Sequence, residues 1–178
     1  MRESGLGAGG SGLGVSCHMR KAFLLALFLV VPSTAFADIT VFLGTNATPV
    51  NRQVRGVSGG IGLLIVAFEF EYADTSEDLA KDAPSLKTYM FNGLVQTPMA
   101  FGGFQPYATA GGGVYRERLT QTPQALSETH VGINVGGGVK VNLVGPLRLR
   151  LDYRVFTLRG TPQHSKPQRF YVGANLKF

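Results

Sequence analysis

Leu147-Arg148-Leu149-Arg150-Leu151-Asp152-Tyr153-Arg154-Val155 switches between apolar and charged side chains at every step. Successive side chains of a β-strand point to opposite faces. Extended, this stretch therefore puts Leu149, Leu151, Tyr153 and Val155 on one face and Arg148, Arg150, Asp152 and Arg154 on the other. A helix would scatter the same charges around its circumference. We read a strand over Leu147–Leu158, and the segments around it extend the pattern. Upstream, 128–142 carries Val131, Ile133, Val135, Val139 and Val141 on a single face. Downstream, Gln168 and Arg169 close a loop. Phe170, Val172, Ala174, Leu176 and Phe178 then share one face of a final strand. Near the middle, Phe68, Phe70 and Tyr72 oppose Glu69 and Glu71 within 66–73. Four further segments read as strands, at 39–45, 55–63, 86–97 and 104–118.

The connections alternate in length. Those at 64–65, 98–103 and 143–146 are short, whereas those at 46–54, 74–85, 119–127 and 159–167 are longer and polar. Leu64-Ile65 is an apolar pair and a poor turn by ordinary turn chemistry. Eight antiparallel strands with this rhythm predict an all-β, eight-stranded up-and-down barrel, with short turns on the inner side of a membrane and long loops outside. Composition agrees. No apolar run reaches the roughly 20 residues of a membrane-spanning helix. A hydrophobic content of 44% is too high for a disordered chain.

The N-terminus predicts export. Met19-Arg20-Lys21 is a short basic start, Ala22–Val31 an apolar core, and Ala35-Phe36-Ala37 a small-residue ending. Together these predict a signal peptide over 19–37, cleaved between Ala37 and Asp38. Residues 1–18 are glycine-rich and aperiodic, and fit an upstream extension with Met19 as the initiator. Cys17 has Gly14 where a lipoprotein signal needs leucine, and no apolar core precedes it, so it is not a lipid attachment site. The expected mature barrel, 38–178, has no cysteine, hence no disulfide and no thiolate metal site. Losing Arg2, Glu3, Arg20 and Lys21 lowers the formal charge from +6 to +4. With no basic run, that excess gives no reason to expect nucleic-acid binding.

Alternation does not say which face is outside. A soluble exported ligand-binding barrel of lipocalin type would turn the apolar face inward. Three features favour the membrane orientation: the terminal Phe178, the alternating loop lengths and the aromatic residues near strand ends. Phe101, Phe104, Tyr107 and Phe178 lie near the short turns, and Tyr72, Tyr115, Phe156 and Phe170 near the long loops, as interfacial girdles do. The expected lipid-facing set includes Phe68, Phe70, Leu149, Leu151, Tyr153, Val172, Leu176 and Phe178.

From residue 19 to its end the chain resembles the small outer-membrane barrels of the OmpA/OmpX type. Its most specific part is Tyr171-Val172-Gly173-Ala174-Asn175-Leu176-Lys177-Phe178. Tyr171, Gly173, Leu176 and Phe178 fit the assembly signal of that family. The resemblance implies an outer-membrane location in a Gram-negative-type cell, insertion by the outer-membrane assembly machinery, and contact with outer-membrane lipid and lipopolysaccharide. It implies no single shared function.

The charged face carries Glu69, Glu71, Lys140, Arg148, Arg150, Asp152 and Arg154, with Lys177 at its end. Inside a barrel of eight strands, where side chains fill the interior, these are expected to form ion pairs. The leading expectation is a structural or surface-interaction role over a filled lumen. The alternative is a narrow or gated porin-like channel, mildly anion-preferring because that set holds five cations to three anions. A lipid A-modifying hydrolase would need serine, histidine and carboxylate together. Ser127, Glu128, His130 and His164 are the available groups, and Ser127 and His130 fall on opposite faces if extended. No catalysis, cofactor or metal is expected. The glycines of 55–63, 104–118 and 128–142 lack a phosphate-loop pattern and fit bending strands. The second external loop is mainly acidic (Asp74, Glu77, Asp78, Asp82, with Lys81). Arg52, Arg159, His164 and Lys166 make the first and fourth basic, which suits a surface partner or lipopolysaccharide phosphates.

Overall fold

Eight strands follow one another around a closed sheet in the computed structural model, each hydrogen-bonded antiparallel to its sequence neighbours. The structure describes residues 35–81, 83–118, 129–160, 162 and 164–178. The upstream extension, nearly all of the expected signal peptide and the third loop with Ser127 and Glu128 lie outside the described residues. The strands are β1 (Ala35–Asn46), β2 (Arg52–Leu63), β3 (Val66–Thr75), β4 (Ser85–Gln96), β5 (Phe104–Arg118), β6 (Thr129–Val144), β7 (Leu147–Leu158) and β8 (Gln168–Lys177). β8 closes onto β1, in register from Asp38 opposite Lys177 to Asn46 opposite Arg169. Closure leaves no unpaired edge, which is what lets a sheet cross lipid. No described helix is long and apolar enough to do so.

The sequence expectation for β5 and β7 matches residue for residue. β1 begins earlier than expected, at Ala35, so the three residues before the predicted cleavage point continue the strand. β8 begins at Gln168, which brings Arg169 from the expected loop into the barrel wall. Leu64 and Ile65 do form the β2–β3 turn, with Leu64 in the left-handed region at φ 49°. Both are about half exposed. At the rim of the apolar band such a pair meets lipid, so the polar residues a water-exposed turn selects are not required.

The outer wall is apolar. Ile39, Val41, Ile61, Phe68, Phe70, Phe91, Val95, Val131, Ile133, Val135, Tyr153 and Val172 are all exposed there. The expected lipid-facing set points outward, with Leu149 and Leu151 partly covered by neighbours. The aromatic expectation needs correction at three positions. Phe101, Phe104, Phe178, Tyr72 and Phe170 face outward, but Tyr107, Tyr115 and Phe156 are buried inside the barrel. Their parity is the cause: Phe156 continues the inward row of Arg148, Arg150, Asp152 and Arg154, and strand alternation outweighs position near a strand end.

Candidate functional site: the charged lumen

β7 contributes the spine of the interior. Its inward row meets the carboxylates of β3 across the barrel and that of β1 past the intervening β8. At the turn end, Asp38 of β1 accepts hydrogen bonds from Lys140 Nζ at 2.8 Å and Arg148 Nη2 at 3.3 Å. Arg148 also donates to Asn175 Oδ1 at 2.8 Å and Gln105 Oε1 at 3.1 Å, and Lys140 to Gln96 Oε1 at 3.4 Å.

The middle layer is denser. Arg150 grips Glu69 with both terminal nitrogens, and its Nε donates to the Tyr107 hydroxyl at 2.8 Å. That hydroxyl donates in turn to Asp152. Asp152 also accepts from Arg150 at 3.1 Å and from Arg154 at 2.8 and 3.1 Å. Arg154 reaches Glu69 at 3.0 Å and lies 3.0 Å from Glu71. Ser58 donates to Glu69 at 3.0 Å. Arg150, Arg154 and Glu71 are wholly buried. Charges so placed stand only when each has partners within reach, and here every carboxylate serves at least two cations. Gly138 makes room at this level. A Cβ there would sit 2.5 Å from the Tyr107 hydroxyl and clash with the Leu151 carbonyl.

Toward the loops the chemistry changes. Arg169 pairs with Glu71 at 3.0 Å, donates to Thr88 at 3.1 Å, and lies 4.4 Å over the Phe156 ring. Beyond it Leu86, Met90, Tyr115, Phe156 and Leu158 form an apolar cluster inside the barrel. Gly132 belongs to the same level; a Cβ there would press on Leu158 at 2.9 Å. Phe42 stacks on Tyr171 at 4.1 Å beside Val54 and Ala73. The interior thus has two zones, a charged one at the turn end and middle and, below the loops, one in which that apolar cluster stands beside the buried polar side chains of Asn46, Arg52 and Thr75.

The seven expected lumen residues from Glu69 to Arg154 line this interior, Lys140 and Arg148 in the turn-end layer and the other five in the middle one. Lys177 does not: it is exposed at the barrel end, 4.6 Å from the Phe36 ring. The network includes members the sequence reading missed, namely Asp38, Arg169, Tyr107 and Tyr171. Each sits at inward parity in its strand, but the cleavage pattern makes Asp38 only a first mature residue, and the expected last loop takes in Arg169. With them the interior set counts five cations to four carboxylates, Arg52 apart. Arg52, expected as a loop cation, is buried and donates to the carbonyls of Pro84 and Thr48, tying the first loop to the second. Of the expected assembly-signal residues, Tyr171 and Gly173 face inward, and Leu176 and Phe178 outward.

The hydrolase constellation is described only in part. His130 lies beside the Tyr115 ring at 5.7 Å, and His164 is in the fourth loop. Among the described residues no three His, Cys, Asp or Glu side chains gather as a metal site.

An apolar outer wall, a charged interior and complete edge closure define a membrane-spanning β-barrel. The chain matches the outer membrane protein beta-barrel domain family over residues 23–178, and it belongs to that family. Its place is the outer membrane. Among solved structures it is similar to the N-terminal β-barrel domain of Pseudomonas aeruginosa OprF, at 16% identity and TM-score 0.62, covering 80% of this chain and 97% of that one. Neisserial surface protein A gives the same identity and TM-score over 81% of this chain and 96% of that one. The outer membrane enzyme PagL is similar at 12% identity and TM-score 0.52, over 78% of this chain and 98% of that one. At such identities the likeness shows a common fold, and that fold serves at least one enzyme. Comparison with curated proteins finds no match.

Proposed function

We propose that this protein is a non-conducting, non-catalytic outer-membrane barrel with a structural or surface-interaction role. The carrying observation is the filled interior: a cross-barrel ion network with a layer of buried apolar and polar side chains above it. A permanent aqueous path would have to pass both zones. A gated path would have to break several shared ion pairs at once and also wet the Leu86–Met90–Tyr115–Phe156–Leu158 layer. Function then falls to the loops on their rigid scaffold. Arg159 and Lys166 remain exposed there and suit an acidic surface partner or lipopolysaccharide phosphates.

In the same reading, the assembly machinery reads Tyr171, Gly173, Leu176 and Phe178, and a leader ending at Ala37 is removed on export. Planar-bilayer recording of the purified protein tests the closed lumen. We expect no stable conductance steps at moderate voltage. Reproducible steps would establish the channel instead, and an anion preference would trace it to the cation-rich interior.

A further inference from the structure

Charged side chains on the outer wall of the strands are confined to one end. Arg55, Asp74, Lys87, Arg116 and Arg118 are the charged residues at outward parity among the described strands, and all lie next to the long loops. At the turn end the corresponding wall is Leu63, Val66, Val95, Phe104 and Leu147. The first four charged residues are also cross-strand neighbours: Arg55 pairs in register with Asp74, Asp74 with Lys87, and Lys87 with Arg116.

Depth places this row. Phe104 to Arg116 spans about 40 Å of strand, or about 30 Å along the barrel axis at a usual tilt of roughly 40°. The apolar band of such barrels is about 25 Å tall. With Phe104 at the inner rim, Arg116 therefore stands at the outer headgroups. One step toward the turns, Tyr72 and Tyr89 form an outward pair at 5.0 Å, as interfacial tyrosines do.

Lys87 and Arg116 are register partners on the exposed wall, where Arg116 spends one Nη on Thr129 Oγ1 at 3.3 Å; like charges so paired cost stability when nothing lies between them. The one carboxylate in the row, Asp74, is turned to Arg55 at 4.0 Å. Arg118 adds a third cation on the same face of β5. An anion bridging Lys87 and Arg116 would turn this repulsion into charge-assisted hydrogen bonds. At that depth the anion must belong to a lipid. Below Arg55 the wall of β1, β2 and β8 also forms an apolar groove of about 750 Å³ lined by Val41, Leu43, Val57, Val172 and Ala174. An acyl chain matches its chemistry.

We propose that the outward face of β4 and β5 holds a phosphorylated glycolipid of the outer leaflet, a lipid A phosphate bridging Lys87 and Arg116. The site is separate from the lumen and loops. It relies only on the long loops facing outward, so a conducting lumen would leave it intact.

Native mass spectrometry of the full protein in detergent tests it, with bisphosphorylated lipid A, its dephosphorylated form and phosphatidylglycerol as probes. We expect bisphosphorylated lipid A to be retained, and retention to fall about tenfold on dephosphorylation or in K87Q/R116Q. Each single variant should give a smaller loss, and K177Q, at the exposed turn end of the barrel, none. Heat-modifiable gel mobility reports whether each variant is folded, and the dephosphorylated probe needs no variant. Equal retention of the phosphorylated and dephosphorylated forms would overturn the proposal, as would unchanged retention in folded K87Q/R116Q. Equal retention of phosphatidylglycerol would replace the glycolipid with any anionic lipid, and so overturn it too.

Discussion

Glu69 shows how finely the interior is balanced. Its two oxygens take Arg150 on both sides, Arg154 and Ser58. Glu69→Gln keeps the shape and removes the charge, so two buried guanidiniums lose a counter-ion. Breaking a buried pair this way costs about 3–5 kcal/mol. Urea unfolding of the barrel in lipid vesicles should show that loss. Removing Arg150 as well should cost less than the sum of the single changes, because Arg150 is then no longer left orphaned and Arg154 keeps Glu71 and Asp152. Glu69, Asp152 and the β7 arginines were legible in the sequence because clean alternation fixed their face. Tyr107 and Tyr115 were not, because the Gly111-Gly112-Gly113 run between them carries no pattern to fix parity. Aromatic residues near strand ends then read as girdle residues. Phe156 had the necessary signal, since it shares parity with Arg154, but its position near the loops outweighed it.

At the level of elements, β7 and β8 carry the strongest expectations. Leu151 faces outward between Val139 of β6 and Val172 of β8. Leu151→Arg should cost about 2–4 kcal/mol if it meets lipid near mid-bilayer, measured by the same unfolding in vesicles. A neutral effect would mean the wall is reversed. β8 ends beside the start of β1, where Ala37 and Phe178 exchange backbone hydrogen bonds of 3.3 and 2.8 Å. Phe178 projects its ring outward, largely exposed. Deleting it should leave folding into detergent micelles nearly intact, because few inward contacts are lost, yet lower the folded fraction recovered from outer membranes. Equal loss in both settings would make Phe178 a packing residue and not a recognition one. Strand positions were readable from alternation, but strand ends were not. β8 gained Gln168 and Arg169 because pairing with β7 continues past the last apolar residue at Phe170.

For the whole molecule, the ion network is built from strands far apart in the chain. Asp38 meets Lys140 and Arg148, and Glu69 meets Arg150 and Arg154. Strand parity foretold which charges face inward, but which cation meets which carboxylate depends on the stagger of the closed sheet, and no local pattern encodes that. This distance in sequence bears on how the barrel enters its bilayer. β7 alone carries Arg148, Arg150, Asp152 and Arg154 on one side, and each bare charge at mid-bilayer depth costs up to about 2–4 kcal/mol. Sent across by itself, that strand would face a toll on the order of 10 kcal/mol. Its partners on β1 and β3 are synthesised first, β3 standing opposite it in the ring and β1 meeting it only when the barrel closes. Stepwise threading, hairpin by hairpin, is therefore the unfavourable route. The last strands are expected to cross only as the sheet curls shut, with the early carboxylates already waiting inside.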